Sequence, residues 1–340
     1  MNSTESRLHV VDALRGFAIV SIMLLHNIEH FDFYYFPSFL PGWMKILDKG
    51  IWKSLFFLFS GKSYAIFALL FGLTFFIQSN NQEKKGKDFR GRFAWRLILL
   101  LIFGIINSSF FQGDILTLYA IIGLFLIPVA RLSNKIVFWI ALILMLQPYE
   151  WINFFISLQN LNTKISDPVS SSYGSKMGEY ITGNSLIKTI IGNLTNGKTG
   201  VLYWWLESGR VFQTLSLFMF GMLAGRKGVF EKSQASRQFW HSIIIISSIL
   251  FVLLFIVKHG MSKFIGNNVV SGPLLTIEIS WLNMAFMLIL VSGFTLLYQT
   301  TLFHRILNIF SSIGRMSLSN YIFQSIIGSF IYYGFGLGLL

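Results

Sequence analysis

The chain has 340 residues, of which 54% are hydrophobic and only 12% charged, with 36 Phe and a mean hydropathy of +0.63. A soluble domain carries about a quarter charged residues, so this composition excludes a soluble globular enzyme and specifies a polytopic membrane protein. The formal net charge of +13 is assigned to basic loops on the cytoplasmic side rather than to nucleic-acid binding, and the absence of Cys excludes a disulfide frame, a thiolate zinc site and a Cys nucleophile.

Apolar stretches long enough to span, about 17–25 residues each, predict helices over 13–31, 52–78, 94–111, 114–130, 135–156, 201–225, 239–257, 272–299 and 317–339. The expected fold is all-α: one transmembrane helix bundle of about nine to ten spans with the N-terminus in the cytoplasm. The first helix carries charge at both ends. Arg15 and His26, eleven residues apart, share one face at about 16 Å along the axis. Asp12, Glu29 and His30 lie close to the same line, and Ile19, Ile22 and Met23 lie between. Such a stripe suits a helix facing a cavity inside a bundle; the alternative is a signal-anchor helix. No small-residue cleavage site follows Leu14, so this helix is expected to stay.

Residues 37–51, with Pro37, Pro41, Gly42 and Trp43, read as an interfacial turn. Lys62 sits near the middle of the second helix, where it pairs or snorkels. Asn107, Ser108 and Ser109 close the third helix, and Asp114 follows. Asp is favoured as an N-cap, so Asp114 either caps the next helix or touches substrate. Gln147-Pro148 marks a kink, with Glu150 just beyond it. Residues 157–200, rich in Ser, Asn, Thr and Gly, read as the one long loop. Glu207 and Arg210, three residues apart on one helix face, read as a structural ion pair, and Trp204 and Trp205 as interfacial aromatics. Glu278 is a further buried acid.

Lys and Arg concentrate in alternate connections, at 84–96, 131–135, 226–237 and 305–315. By the positive-inside rule these face the cytoplasm. His26, Asn107, Asp114, Gln147, Glu150 and Glu278 then fall in the outer half and predict a polar chamber there. No HExxH, P-loop or GxSxG pattern occurs, and no metal site is expected.

Five blocks occur in order: LRGFAIVSIMLLHN, KSYAIFALLFGLTFF, RLILLLIFGIINSSFFQGDILTLYAIIGL, FMFGMLAGRKGVF and GRMSLSNYIFQS. Together they resemble the bacterial YeiB-like membrane proteins, whose C-terminal part is a domain of unknown function. That family is grouped with transmembrane acyltransferases. The resemblance covers nearly the whole chain, with an acyltransferase-like half over about 1–156 and a YeiB-like half over about 201–340. It implies residence in the bacterial inner membrane and transfer of an acyl group, acetyl above all, from an acyl-CoA donor to a small-molecule or glycan acceptor on the outer side. His26 would act as general base or acyl carrier, oriented by Glu29 and placed with Asn107 and Asp114. Arg15 and Arg315, with Asn320, would hold the donor phosphates. Family members usually have Asn where this chain has His26 and His where it has Asn107. This reciprocal exchange predicts that His26 and Asn107 lie within hydrogen-bond or one-water reach. The family also continues past the position of Leu340 with a further span. The residues alone leave two other readings open: a transporter of a small polar or anionic solute, and a membrane scaffold without catalysis.

Overall fold

The computed structural model describes residues 8–28, 39–159, 167–264 and 268–339. Among them there is no strand, and the α-helices fall in a single series. In chain order they are α1 (His9–His26), α2 (Gly42–Phe59), α3 (Ser63–Glu83), α4 (Arg90–Phe110), α5 (Leu116–Gly123), α6 (Leu126–Val129), α7 (Asn134–Met145) and α8 (Pro148–Gln159). Next come the short α9 (Val169–Gly174), α10 (Gly178–Ile181) and α11 (Leu186–Gly192), and a π-helical turn at Asn193–Gly197. The series ends with α12 (Lys198–Glu207), α13 (Arg210–Arg226), α14 (Gln234–Phe264), α15 (Asn268–Tyr298), α16 (Thr301–Leu307), α17 (Ile309–Arg315) and α18 (Ser317–Tyr332).

Among the described residues, six helical segments are long and apolar enough to cross a membrane: 9–26, 42–83, 90–110, 134–159, 234–260 and 270–298. Their faces explain the composition. Large apolar side chains such as Ile245, Ile249, Leu253 and Ile256 on α14 are exposed, which is stable only where the surrounding medium is hydrocarbon. The other three predicted spans are shorter as continuous helices. The 114–130 stretch breaks at Leu124–Phe125, the 201–225 stretch breaks at Ser208–Gly209, and α18 ends at Tyr332.

Three breaks have a backbone cause. Gly61 between α2 and α3, Gln147 between α7 and α8, and Gly209 between α12 and α13 have φ of +76°, +57° and +66°. That left-handed conformation ends an α-helix and is natural for Gly alone. At Gln147 it is stabilised by the side chain, whose amide donates to Gly209 O (2.9 Å) and to Ser280 Oγ (3.1 Å). The Gln147-Pro148 kink expected from sequence is therefore present, and it is tied to a second break that the sequence did not advertise. The supposed turn at 37–51 is helical from Gly42 onward, because Pro41 and Gly42 open a helix here as N-cap and first residue. The stretch read as a loop over 157–200 contains α9, α10, α11 and the π-turn.

Glycine-mediated crossings hold the centre. α1 crosses α17 where a Cβ on Gly16 would collide with the Phe310 carbonyl, and one on Gly314 with the Asp12 carbonyl. α3 crosses α13 in the same way, Gly72 against the Phe218 carbonyl and Gly221 against the Leu69 carbonyl. Small residues let apolar helices approach backbone to backbone where no hydrophobic force separates lipid from protein. At the α3–α13 crossing lies an aromatic cluster of Phe71, Tyr119 and Phe218, with Phe71 stacked on Phe218 at 4.5 Å and Tyr119 edge-on to Phe218 at 5.0 Å.

Candidate functional site: a polar cavity at the His26 end of the bundle

α1 ends at His26, and α18 runs beside it, so the first and last long helices meet at this end. The imidazole packs tilted against Phe111, ring centroids 4.5 Å apart, and lies 6.0 Å from the Tyr321 ring. The Gln324 amide nitrogen donates to His26 Nδ1 at 3.3 Å. With that bond the ring carries its proton on Nε2. The Gln324 carbonyl oxygen, buried, accepts no hydrogen bond, so rotating the amide by 180° costs none. The oxygen then accepts from Nδ1–H, and Nε2 holds the lone pair of a base. One glutamine thus serves both tautomers.

A cavity of about 360 Å³ opens beside the ring. Its wall is built from His26, Tyr64, Gln112, Trp204, Arg210 and Tyr321, with Ser60, Gly61 and Ser63 from the α2–α3 break. Arg210 lies at the start of α13, just past the Gly209 break. Its guanidinium stacks between Tyr64 (4.1 Å) and Trp204 (4.3 Å). The Tyr64 hydroxyl donates to Gln213 Oε1, Gln213 donates to the Ser280 carbonyl at 2.9 Å, and Tyr119 donates to the Tyr64 carbonyl at 2.7 Å. These bonds fix the stacking face. The expected Glu207–Arg210 ion pair is not formed. The break at Gly209 swings the two apart, and the Glu207 carboxylate instead accepts from Val169 N (2.7 Å) and from Ser170 Oγ (2.5 Å), capping α9.

Asn107 and Asp114 form a separate, fully buried cluster behind this wall. The Asp114 carboxylate accepts from five donors: Asn107 Nδ2 (3.0 Å), Leu116 N (3.2 Å), Thr117 N (2.9 Å), Thr117 Oγ1 (2.6 Å) and Lys198 Nζ (3.4 Å). The two backbone contacts make it the cap of α5. Lys198 also donates to Ser108 Oγ (3.0 Å) and Thr117 Oγ1 (2.7 Å) and sits over the Trp205 ring. Burial lowers the Lys198 pKa, and the Asp114 carboxylate pulls it back up. Lys198 was not among the expected site residues, since it reads as one of several loop lysines. The amide partner that His26 has in the structure is Gln324, and the partner of Asn107 is Asp114. Neither Asn107 nor Asp114 lines the His26 cavity. Glu29 and His30 lie outside the described residues.

At the other end of α1, Arg15 donates to Asp12 Oδ1 at 3.1 Å and to Thr74 Oγ1. It lines a cavity of about 580 Å³ with Lys84, Gln78, Asn80, Asn81 and Glu231. A neighbouring cavity of about 700 Å³ carries Lys232, His304 and Arg305. Arg315 is exposed at the end of α17 and lines neither. Asn320 donates to the Ile313 carbonyl at 3.0 Å and so bridges the α17–α18 junction.

Apolar helices of spanning length around buried polar cavities define a polytopic, all-α membrane protein. Residues 224–340 match the family described as "Protein of unknown function (DUF418)". Over 99% of its length the chain is 27% identical to "Uncharacterized protein YxaH" of Bacillus subtilis (strain 168), of which 84% is covered. It is 24% identical to "Uncharacterized 39.9 kDa protein in amylase 3'region" of Bacillus acidopullulyticus, over 94% of this chain and 78% of that one. No solved structure matches.

Proposed function

We propose that the protein is an acyltransferase of the bacterial plasma membrane. It would move an acyl group, acetyl in the simplest case, from a thioester donor of the acyl-CoA class to a hydroxyl or amine of an acceptor in the His26 cavity. The observation that carries this reading is an imidazole at a cavity wall whose tautomer a single amide can set. In the step, His26 takes the proton of the acceptor hydroxyl as its oxygen attacks the thioester carbon. The new C–O bond forms, the C–S bond breaks, and the proton passes from the imidazolium to the leaving thiolate. Donor phosphates would sit at the Arg15 end, against Lys84 and Lys232. Arg15 itself is engaged with Asp12 and Thr74, so its direct use would require that pair to open.

The Lys/Arg asymmetry supports a cytoplasmic N-terminus and an outward His26 cavity. Counting the shorter helices α5–α6, α13 and α18 as further crossings gives about nine spans. A transporter is the second reading, supported by the helix breaks at Gly61, Gln147 and Gly209, because discontinuous helices surround solute sites in many transporters. The test uses purified full-length protein in lipid nanodiscs with acyl-labelled acetyl-CoA. Label appearing on a hydroxyl or amine acceptor, and lost in His26→Asn, is expected. Solute flux in proteoliposomes without any acyl transfer would overturn the acyltransferase in favour of the transporter.

A further inference from the structure

The His26 cavity contains a cation, Arg210, that no described carboxylate neutralises. Among the described residues no Asp or Glu lines this cavity, and no described carboxylate pairs with Arg210. The acid nearest in sequence, Glu207, is held by the start of α9. A guanidinium clamped between two aromatic faces keeps its planar edge available for in-plane hydrogen bonding, and that edge matches a carboxylate or phosphate. The Tyr321 hydroxyl accepts from Ile115 N, keeps its own proton to donate, and lines the same space. A half-buried arginine without a counter-charge is unfavourable on its own and becomes favourable when an anion completes it.

We propose that this cavity binds the anionic end of its ligand, with Arg210 holding a carboxylate or phosphate while a hydroxyl on the same molecule faces His26. The acceptor in the transfer reaction is therefore an anionic hydroxy compound. This identification rests on the acyltransferase reading for its hydroxyl and on the cavity alone for its anion.

The experiment is calorimetric titration of the full chain in nanodiscs with three probes of common skeleton: glycerol 3-phosphate, glycerate and glycerol. The expected result is binding of at least one charged probe about tenfold or more tighter than glycerol, about 1.4 kcal/mol or more by the free-energy relation. Which charged probe binds tighter decides between phosphate and carboxylate. Arg210→Gln removes the difference, and rising chloride weakens the charged probe in the unmodified protein. That second measurement stands even if Arg210→Gln folds poorly. Equal affinity for all three probes, or anion binding unchanged in a folded Arg210→Gln, would overturn the proposal. His26→Asn separates the two readings: it retains anion binding while losing acyl transfer. Transfer without anion preference overturns the anion site alone, and anion binding without transfer overturns the reaction alone.

Discussion

Asp114 is satisfied by five donors and has no exposed surface. Removing it orphans the Asn107 amide and leaves the Lys198 ammonium buried without its counter-charge. Asp114→Ala is therefore expected to destabilise by about 3–5 kcal/mol, read as a lower thermal midpoint in detergent. Asp114→Ala combined with Lys198→Met is expected to recover most of that loss, because the charge is removed with its partner. An additive double variant would disprove the coupling. At His26 the expectation is kinetic. His26→Asn should lower kcat by about 100-fold or more, the scale of general-base catalysis, with the fold intact. Gln324→Leu should lower it less and with little change in KM, because it disturbs the ring's tautomer rather than substrate binding. Sequence reading placed His26 on a cavity-facing stripe and offered capping as one of two roles for Asp114, since each follows from a local pattern. It did not find Gln324, Lys198 or Arg210's stacking. Those depend on contacts across 298, 84 and 146 residues respectively, which no local periodicity encodes.

The helices show the same division. Apolar length predicted where hydrocarbon-facing segments lie, but a single left-handed residue decides whether such a segment is one helix or two. Gly61 and Gly209 fall inside the predicted spans 52–78 and 201–225, and no neighbouring Pro marks a break at either. Gln147 was legible because Pro148 follows it. The crossings make a sharper prediction. Gly72→Val or Gly221→Val should force α3 from α13 and cost about 1–3 kcal/mol or more, seen as a fall in the thermal midpoint. Gly91→Val on α4, where a Cβ would meet nothing within 4 Å, is the matched control and should leave it nearly unchanged. Equal effects at all three positions would show that helix propensity, not the crossing, sets the cost.

At the scale of the whole molecule, orientation follows from charge. A cysteine introduced at Ser171 in this Cys-free chain is expected to react with a membrane-impermeant maleimide on intact cells, and one introduced at Gln234 only after lysis. The reverse pattern would turn the His26 cavity to the cytoplasm. The junction of α1 with α17 and α18 adds a constraint of another kind. His26 emerges from the ribosome early, and Gln324 and Tyr321, which complete its surroundings, are synthesised 298 and 295 residues later. Helices that enter the membrane one after another must leave a berth beside α1 vacant until α18 arrives. The cavity is thus finished only once α18 is made, and a nascent chain released before α18 would hold its histidine against lipid or water instead of a binding site. The same geometry makes the protein a natural subject for reconstitution from two co-expressed pieces divided in the turn at 227–233 between α13 and α14, with the C-terminal piece restoring the site.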